Sequence, residues 1–119
     1  MQLAIIQSHT SSFMEDFAEK IARKNLLYYA SEAFDEMKFD SIEELQEAIK
    51  RARELCVSAE IPMNGNFLRV YKSSTDGIMY DWKLSMLAYN LVCISGNPAN
   101  PNVASLNIQL IKNEYVNQL

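Results

Sequence analysis

The sequence predicts an α+β fold: a small single domain of about four to five helices packed with a β-hairpin and short strands. Three observations predict it. Apolar residues recur at helical spacing in several separate stretches. Two β-prone runs, 67–72 and 78–80, flank Asp76-Gly77, a pair that tolerates the positive φ of a tight turn. Only three Gly and three Pro occur in 119 residues, which leaves little material for long loops. A composition with 49% hydrophobic and 22% charged residues is that of a folded chain with one core.

The elements follow in order. Residues 3–6 read either as a short strand or as an extension of the first helix. Ser12 and Glu15 then form a capping box, and Phe13, Phe17, Ala18 and Ile21 share one face of a helix over 12–24. The β-prone run 26–29 precedes a brief helix capped by Ser31 and containing Ala33, Phe34 and Met37. Ser41 and Glu44 form a second capping box for a helix over 41–56. Its apolar stripe is Ile42, Leu45, Ala48 or Ile49, Ala52, Leu55 and Cys56. Ser85 caps a strongly apolar helix over 85–95, in which Leu91 is expected among the most buried residues. Gly96 is placed to end it as the C′ residue, and Pro98 prevents its continuation. Asn100 with Pro101 at the first helical position opens a last helix over 101–116.

That last helix carries two stripes. Val103, Leu106 and Leu110 form one, while Ala104, Ile108, Ile111 and Tyr115 form another, together covering roughly half the circumference at about 3.6 residues per turn. Such a helix is either wedged between two layers or partly covered by a partner.

The chemistry on offer is narrow. His9 is the single histidine, so one chain can build neither a histidine-based triad nor a multi-histidine metal site. No phosphate-binding Gly-rich loop occurs. Cys56 and Cys93 read as small buried hydrophobes rather than zinc ligands or a disulfide. The densest carboxylates, Asp35, Glu36, Asp40, Glu43 and Glu44, are explained by helix capping and solvation. The sequence thus predicts no enzyme, no cofactor and no metal. Nor does any apolar run approach the ~20 residues that span a bilayer, and residues 3–6 are too short for a signal segment, so a cytoplasmic protein without a membrane partner is expected.

The formal charge is −4, from 11 Lys+Arg against 15 Asp+Glu, which puts non-specific nucleic-acid binding at a disadvantage without excluding a local basic patch. Lys50, Arg51 and Arg53 lie towards the negative end of their predicted helix, where cations are favoured on electrostatic grounds alone. The stretch 81–85, DWKLS, joins a strand to the most apolar helix and holds the only Trp. Trp82 either anchors that corner or lies with Lys83 on a recognition surface.

At these residues a family resemblance enters. YYASEAF at 28–34, IKRARELC at 49–56, DWKLS at 81–85 continued by AYNLV at 88–92, and Asn97-Pro98 followed by Val103-Ala104 resemble, in order and spacing, four segments of damage-inducible protein D and the Bro-type antirepressor amino-terminal domains. The resemblance covers roughly 28–110 and marks 1–119 as one such domain with 1–25 an accessory segment. It implies an α+β fold and a regulatory role linked to phage or to DNA damage, with DNA binding expected. Glu32, Ala33 and Met86 depart from that pattern, at positions where the family tends to carry Arg, Asp and Arg.

Two partners follow from these readings. One is DNA, contacted by Lys50, Arg51 and Arg53 on one helix, Arg69 and Lys72 on the hairpin, and Trp82 with Lys83. The other is a second copy or another protein docked on Ile108, Ile111 and Tyr115. A continuous positive surface through Lys50, Arg53, Arg69, Lys72 and Lys83 favours DNA; scattering of these cations among acidic residues favours the interaction module.

Overall fold

A computed structural model describes residue 14, residues 24–75 and residues 77–118. Along them the chain forms β1 (Tyr28–Tyr29), α1 (Ala30–Met37), α2 (Ile42–Ser58), β2 (Phe67–Ser74), β3 (Gly77–Leu84), α3 (Met86–Ile94) and α4 (Pro101–Gln118). The predicted α+β class is what these residues adopt: four helices with a three-stranded antiparallel sheet. The readings of 3–6 and His9 lie outside the described residues, as does the helix over 12–24 save for residues 14 and 24.

The hairpin is longer than its β-prone runs. β2 pairs with β3 from Phe67↔Leu84 to Ser74↔Gly77, and Gly77 has φ 121°, the positive region expected of it. Asp76 lies outside the described residues. β3 is central, because β1 adds to its other side through Tyr28↔Leu84 and Tyr29↔Lys83.

The short helix starts one residue before Ser31. Tyr29 is its N-cap, with the Tyr29 amide donating to Glu32 Oε2 at 3.4 Å, and Ser31 is taken by Asp81 instead. Lys38, at φ 53°, ends it. Ser41 caps α2 by accepting from the Glu44 amide at 3.2 Å, while Glu44 reaches back to the amide of Asp40 at 2.7 Å. Leu45, Ala48, Ile49, Ala52 and Cys56 form its buried stripe. Ile42 and Leu55, expected in that stripe, lie on its two flanks and are exposed, because steps of about 100° per residue carry them away from its centre.

Ser85 caps α3 by accepting from the Ala88 amide at 3.1 Å, and donates its own hydroxyl to Asn66 Oδ1 at 2.7 Å. The core face of α3 is Ala88, Tyr89, Val92 and Cys93. Leu91 is only partly buried, contrary to expectation: Tyr89 and Cys93 take the inward side, so the apolar excess of this helix falls on its flank and on exposed Leu87. Gly96 also differs from its expected role. Its φ is not in the positive region, and it is needed for space: a Cβ there would stand 2.6 Å from Phe39 Cε1 and 2.8 Å from Val103 Cγ2.

Asn100 Oδ1 accepts from the Asn102 amide at 2.9 Å and opens α4, while its side-chain amide donates to the Met37 carbonyl at 3.1 Å. This ties the start of α4 to the end of α1. Val103 is fully buried and Leu106 partly, but Ile108 is 52% and Ile111 66% exposed. The second stripe is therefore not wedged between layers. The Tyr115 side chain lies outside the described residues.

Candidate functional site

Helical geometry sorts the basic residues of α2 before any fold is considered. Gln46, Lys50 and Arg53 lie at spacings of four and three and share one flank, whereas Arg51 turns to the other. Arg51 there donates to the Ser95 carbonyl at 2.7 Å, closing the end of α3. α2 also runs on to Ser58 with no basic residue in its last turn, so Lys50, Arg51 and Arg53 lie towards its negative end as expected but short of the turn where the dipole acts most strongly.

Pleating sorts the hairpin in the same way. Directly paired residues share a face, so Arg69 and Trp82, with Tyr71 and Tyr80, lie on the side that carries Phe67 and Leu84. Lys72 and Lys83 belong to the other side. There Lys72 Nζ sits 4.1 Å and Lys83 Nζ 5.7 Å from the Tyr29 ring centroid. Lys72 also pairs with Asp81 Oδ2 at 3.2 Å. The predicted basic set is thus not one continuous surface: Lys50, Arg53, Arg69 and Trp82 come together, Lys72 and Lys83 form a second group on the other face of the hairpin with Lys72 paired to Asp81, and Arg51 stands apart.

The first group is a ladder of cations and rings. The Arg69 guanidinium lies 4.8 Å from the Tyr80 centroid and 4.9 Å from that of Trp82, and Arg53 lies 5.1 Å from Trp82. Trp82 meets Phe67 edge-on at 6.4 Å, so it anchors the corner with one part of its ring and faces the arginines with another. Cations so placed gain about 0.5–1 kcal/mol each at exposed sites and keep their N–H groups free for an anion. Among the described residues the one ion pair within 4 Å is Lys72–Asp81, so Lys50, Arg53 and Arg69 have no carboxylate at that distance. Gln46, Ile49 and Tyr80 complete the concave surface, a hollow of about 260 Å³. The sequence reading missed these three, although the hairpin register and the 46–50–53 spacing contain the signal.

Asp81 holds the hairpin to α1. Its carboxylate accepts from the Ser31 hydroxyl at 2.6 Å and amide at 3.2 Å, from the Trp82 amide at 2.7 Å, and from Lys72. Burial opposes its ionisation, but the hydrogen bonds from Ser31, the Trp82 amide and Lys72, with the charge of Lys72, outweigh it and hold the carboxyl below its ordinary value of 3.8. A depressed carboxyl contributes stability above its unfolded pKa and loses it as pH falls through the lower folded one. Chemical unfolding between about pH 6 and about pH 3 should therefore show a loss of stability on acidification that is smaller in Asp81→Asn. Equal losses in both proteins would contradict this role.

The thiols offer no nucleophile. Both are buried and free; burial raises Cys56, and burial with the charge of Glu36 raises Cys93 to about 11. Tyr89 stacks on Tyr28 at 4.7 Å and donates to Glu36, and burial first, then that bond, raises its phenol. Among the described residues no group of three or more His, Cys, Asp or Glu is arranged to hold a metal ion, and no helix is long and apolar enough to cross a membrane. Comparison of the chain with protein-family models, curated proteins and solved structures gives no match.

Proposed function

We propose that this chain is a non-enzymatic regulatory domain that binds DNA through the face built by Lys50, Arg53, Arg69, Tyr80 and Trp82. The observation that carries the reading is the ladder itself: two exposed guanidinium groups held on Trp82, with no carboxylate within ion-pair distance among the described residues. An acidic chain that sets two guanidinium groups on aromatic rings with Lys50 beside them, and no carboxylate within ion-pair distance among the described residues, presents an anion-binding surface against its net charge of −4. The resemblance to damage-inducible protein D and Bro-type domains points the same way. Titration of a short labelled duplex should show affinity that falls with salt, with a log–log slope of about −3 if the three cations each displace one phosphate counterion. Absence of binding at low ionic strength would remove the reading.

A second reading rests on a different observation. Ile108 and Ile111 stand exposed on α4, and a two-fold dimer would cover each against its copy. In that case light scattering shows a dimer for the unmodified chain and a folded monomer for Ile108→Glu. A monomer at high concentration excludes it.

A further inference from the structure

We infer that the cleft between α2 and β3 is a site for one unpaired nucleotide, with its base in the apolar end and its phosphate on Arg53 and Arg69. The inference deepens the DNA-binding reading and rests on it. A second hollow, of about 320 Å³, adjoins the basic one and is walled by Ala30, Ile42, Leu45 and Met79. Both hollows share Gln46, Ile49, Tyr80 and Trp82, so they are two ends of one cleft. Ligand sites usually have volumes of about 300–1,000 Å³; the basic hollow alone falls short of that range and the apolar one lies at its lower edge, so only the joined cleft has room to spare.

The two ends ask for different chemistry. A bare phosphate satisfies the arginines and leaves the apolar wall in water. A purely apolar molecule does the reverse. A nucleotide meets both, with a flat ring, a hydrogen-bonding edge and an anion joined at short range. The step from Ile49 to Arg53 is one helical turn, about 6 Å along the axis, comparable with the reach from a base across its sugar to its phosphate. Gln46 stands at the junction, exposed, with no hydrogen-bond partner among the described residues. Its amide offers the donor and acceptor that a base edge needs. Asp81, also on the wall, takes no part: its oxygens already accept from Ser31, Lys72 and the Trp82 amide.

Shape decides between paired and unpaired bases. The apolar end is recessed beside β3, where β1 covers only Lys83 and Leu84 and leaves the strand before them without a strand neighbour on that side among the described residues. A base held in a duplex shows only its edge and cannot enter; one out of the stack can.

Trp82 is the only tryptophan, so its fluorescence reads the cleft directly. The full chain is titrated with a blunt duplex, with the same duplex carrying one central unpaired adenosine, with adenosine monophosphate and with ribose 5-phosphate. The duplex with the unpaired base should bind at least about tenfold tighter than the blunt one, a factor within what one stacked base contributes. Adenosine monophosphate should perturb Trp82 at concentrations where ribose 5-phosphate does not. Ile42→Ser with Gln46→Ala, both at exposed positions, should bring the two duplexes to equal affinity while circular dichroism shows the fold intact. Equal binding of the two duplexes by the unmodified chain overturns the nucleotide site and leaves the DNA reading standing. No response to any of the four probes overturns both.

Discussion

Leu84→Ala is expected to lower the unfolding free energy by about 2–5 kcal/mol, read as a shifted urea midpoint with an unchanged denaturant slope. Leu84 is fully buried at the end of the central strand, between Tyr28 on β1 and Phe67 on β2. It is the point at which both strand pairings meet the helices, because Ser85 follows directly and starts α3. Its neighbours are fixed by backbone pairing on two sides, so the hole left by truncation has little means of collapsing. Leu91→Ala, at a partly buried position on the flank of α3, should cost less. The reverse order of the two variants would show that the sheet–helix corner is not the centre of the core.

The contrast between Leu84 and Leu91 shows what the sequence made legible. Local signals worked where the chemistry is local. Ser41, Ser85 and Asn100 cap their helices by bonds to amides two or three residues ahead, and the starts of α2, α3 and α4 were readable from them. Asp76-Gly77 located the hairpin for the same reason. What failed depends on distant partners. Ser31 is a good N-cap by type, but an aspartate fifty residues away claims it and the cap passes to Tyr29. Gly96 reads as a helix terminator until Phe39 and Val103 are placed against it. Leu91 outranks Cys93 by hydrophobicity, yet the face turned to the core is chosen by what α2 and β1 present.

The site was legible as residue types and not as a grouping. Lys50, Arg51 and Arg53 look like one cluster on paper, and a helix separates neighbours by about 100°. Arg69 and Trp82 are thirteen positions apart and become partners through hairpin register, which follows from the turn at Gly77. Lys72 falls to the other face by the same pleat. Placing Arg53 against Trp82 needs the packing of α2 on the sheet, for which no local signal exists.

Arg53→Glu with Arg69→Glu is expected to weaken duplex binding by more than about a hundredfold at low salt. Each guanidinium that meets a phosphate gives a charge-assisted hydrogen bond of about 1.5–3 kcal/mol, so two together account for about 3–6 kcal/mol, and each factor of ten needs about 1.4. The salt slope should fall by about two, since two fewer counterions are displaced. Both side chains are exposed, and what the fold itself loses is their contact with the Trp82 and Tyr80 rings, so circular dichroism and the unfolding midpoint should change little. Lys72→Ala with Lys83→Ala is the matched comparison: it removes the same number of positive charges from the opposite face of the hairpin. If affinity followed net charge alone, the lysine pair would weaken binding to about half the extent, in kcal/mol, of the arginine reversal, which changes charge by twice as much. If the ladder on Trp82 is the contact surface, the lysine pair should cost no more than a few-fold and leave the slope near its original value. A hundredfold loss from the lysine pair, or retained affinity after the arginine reversal, would move the interface away from α2 and β3.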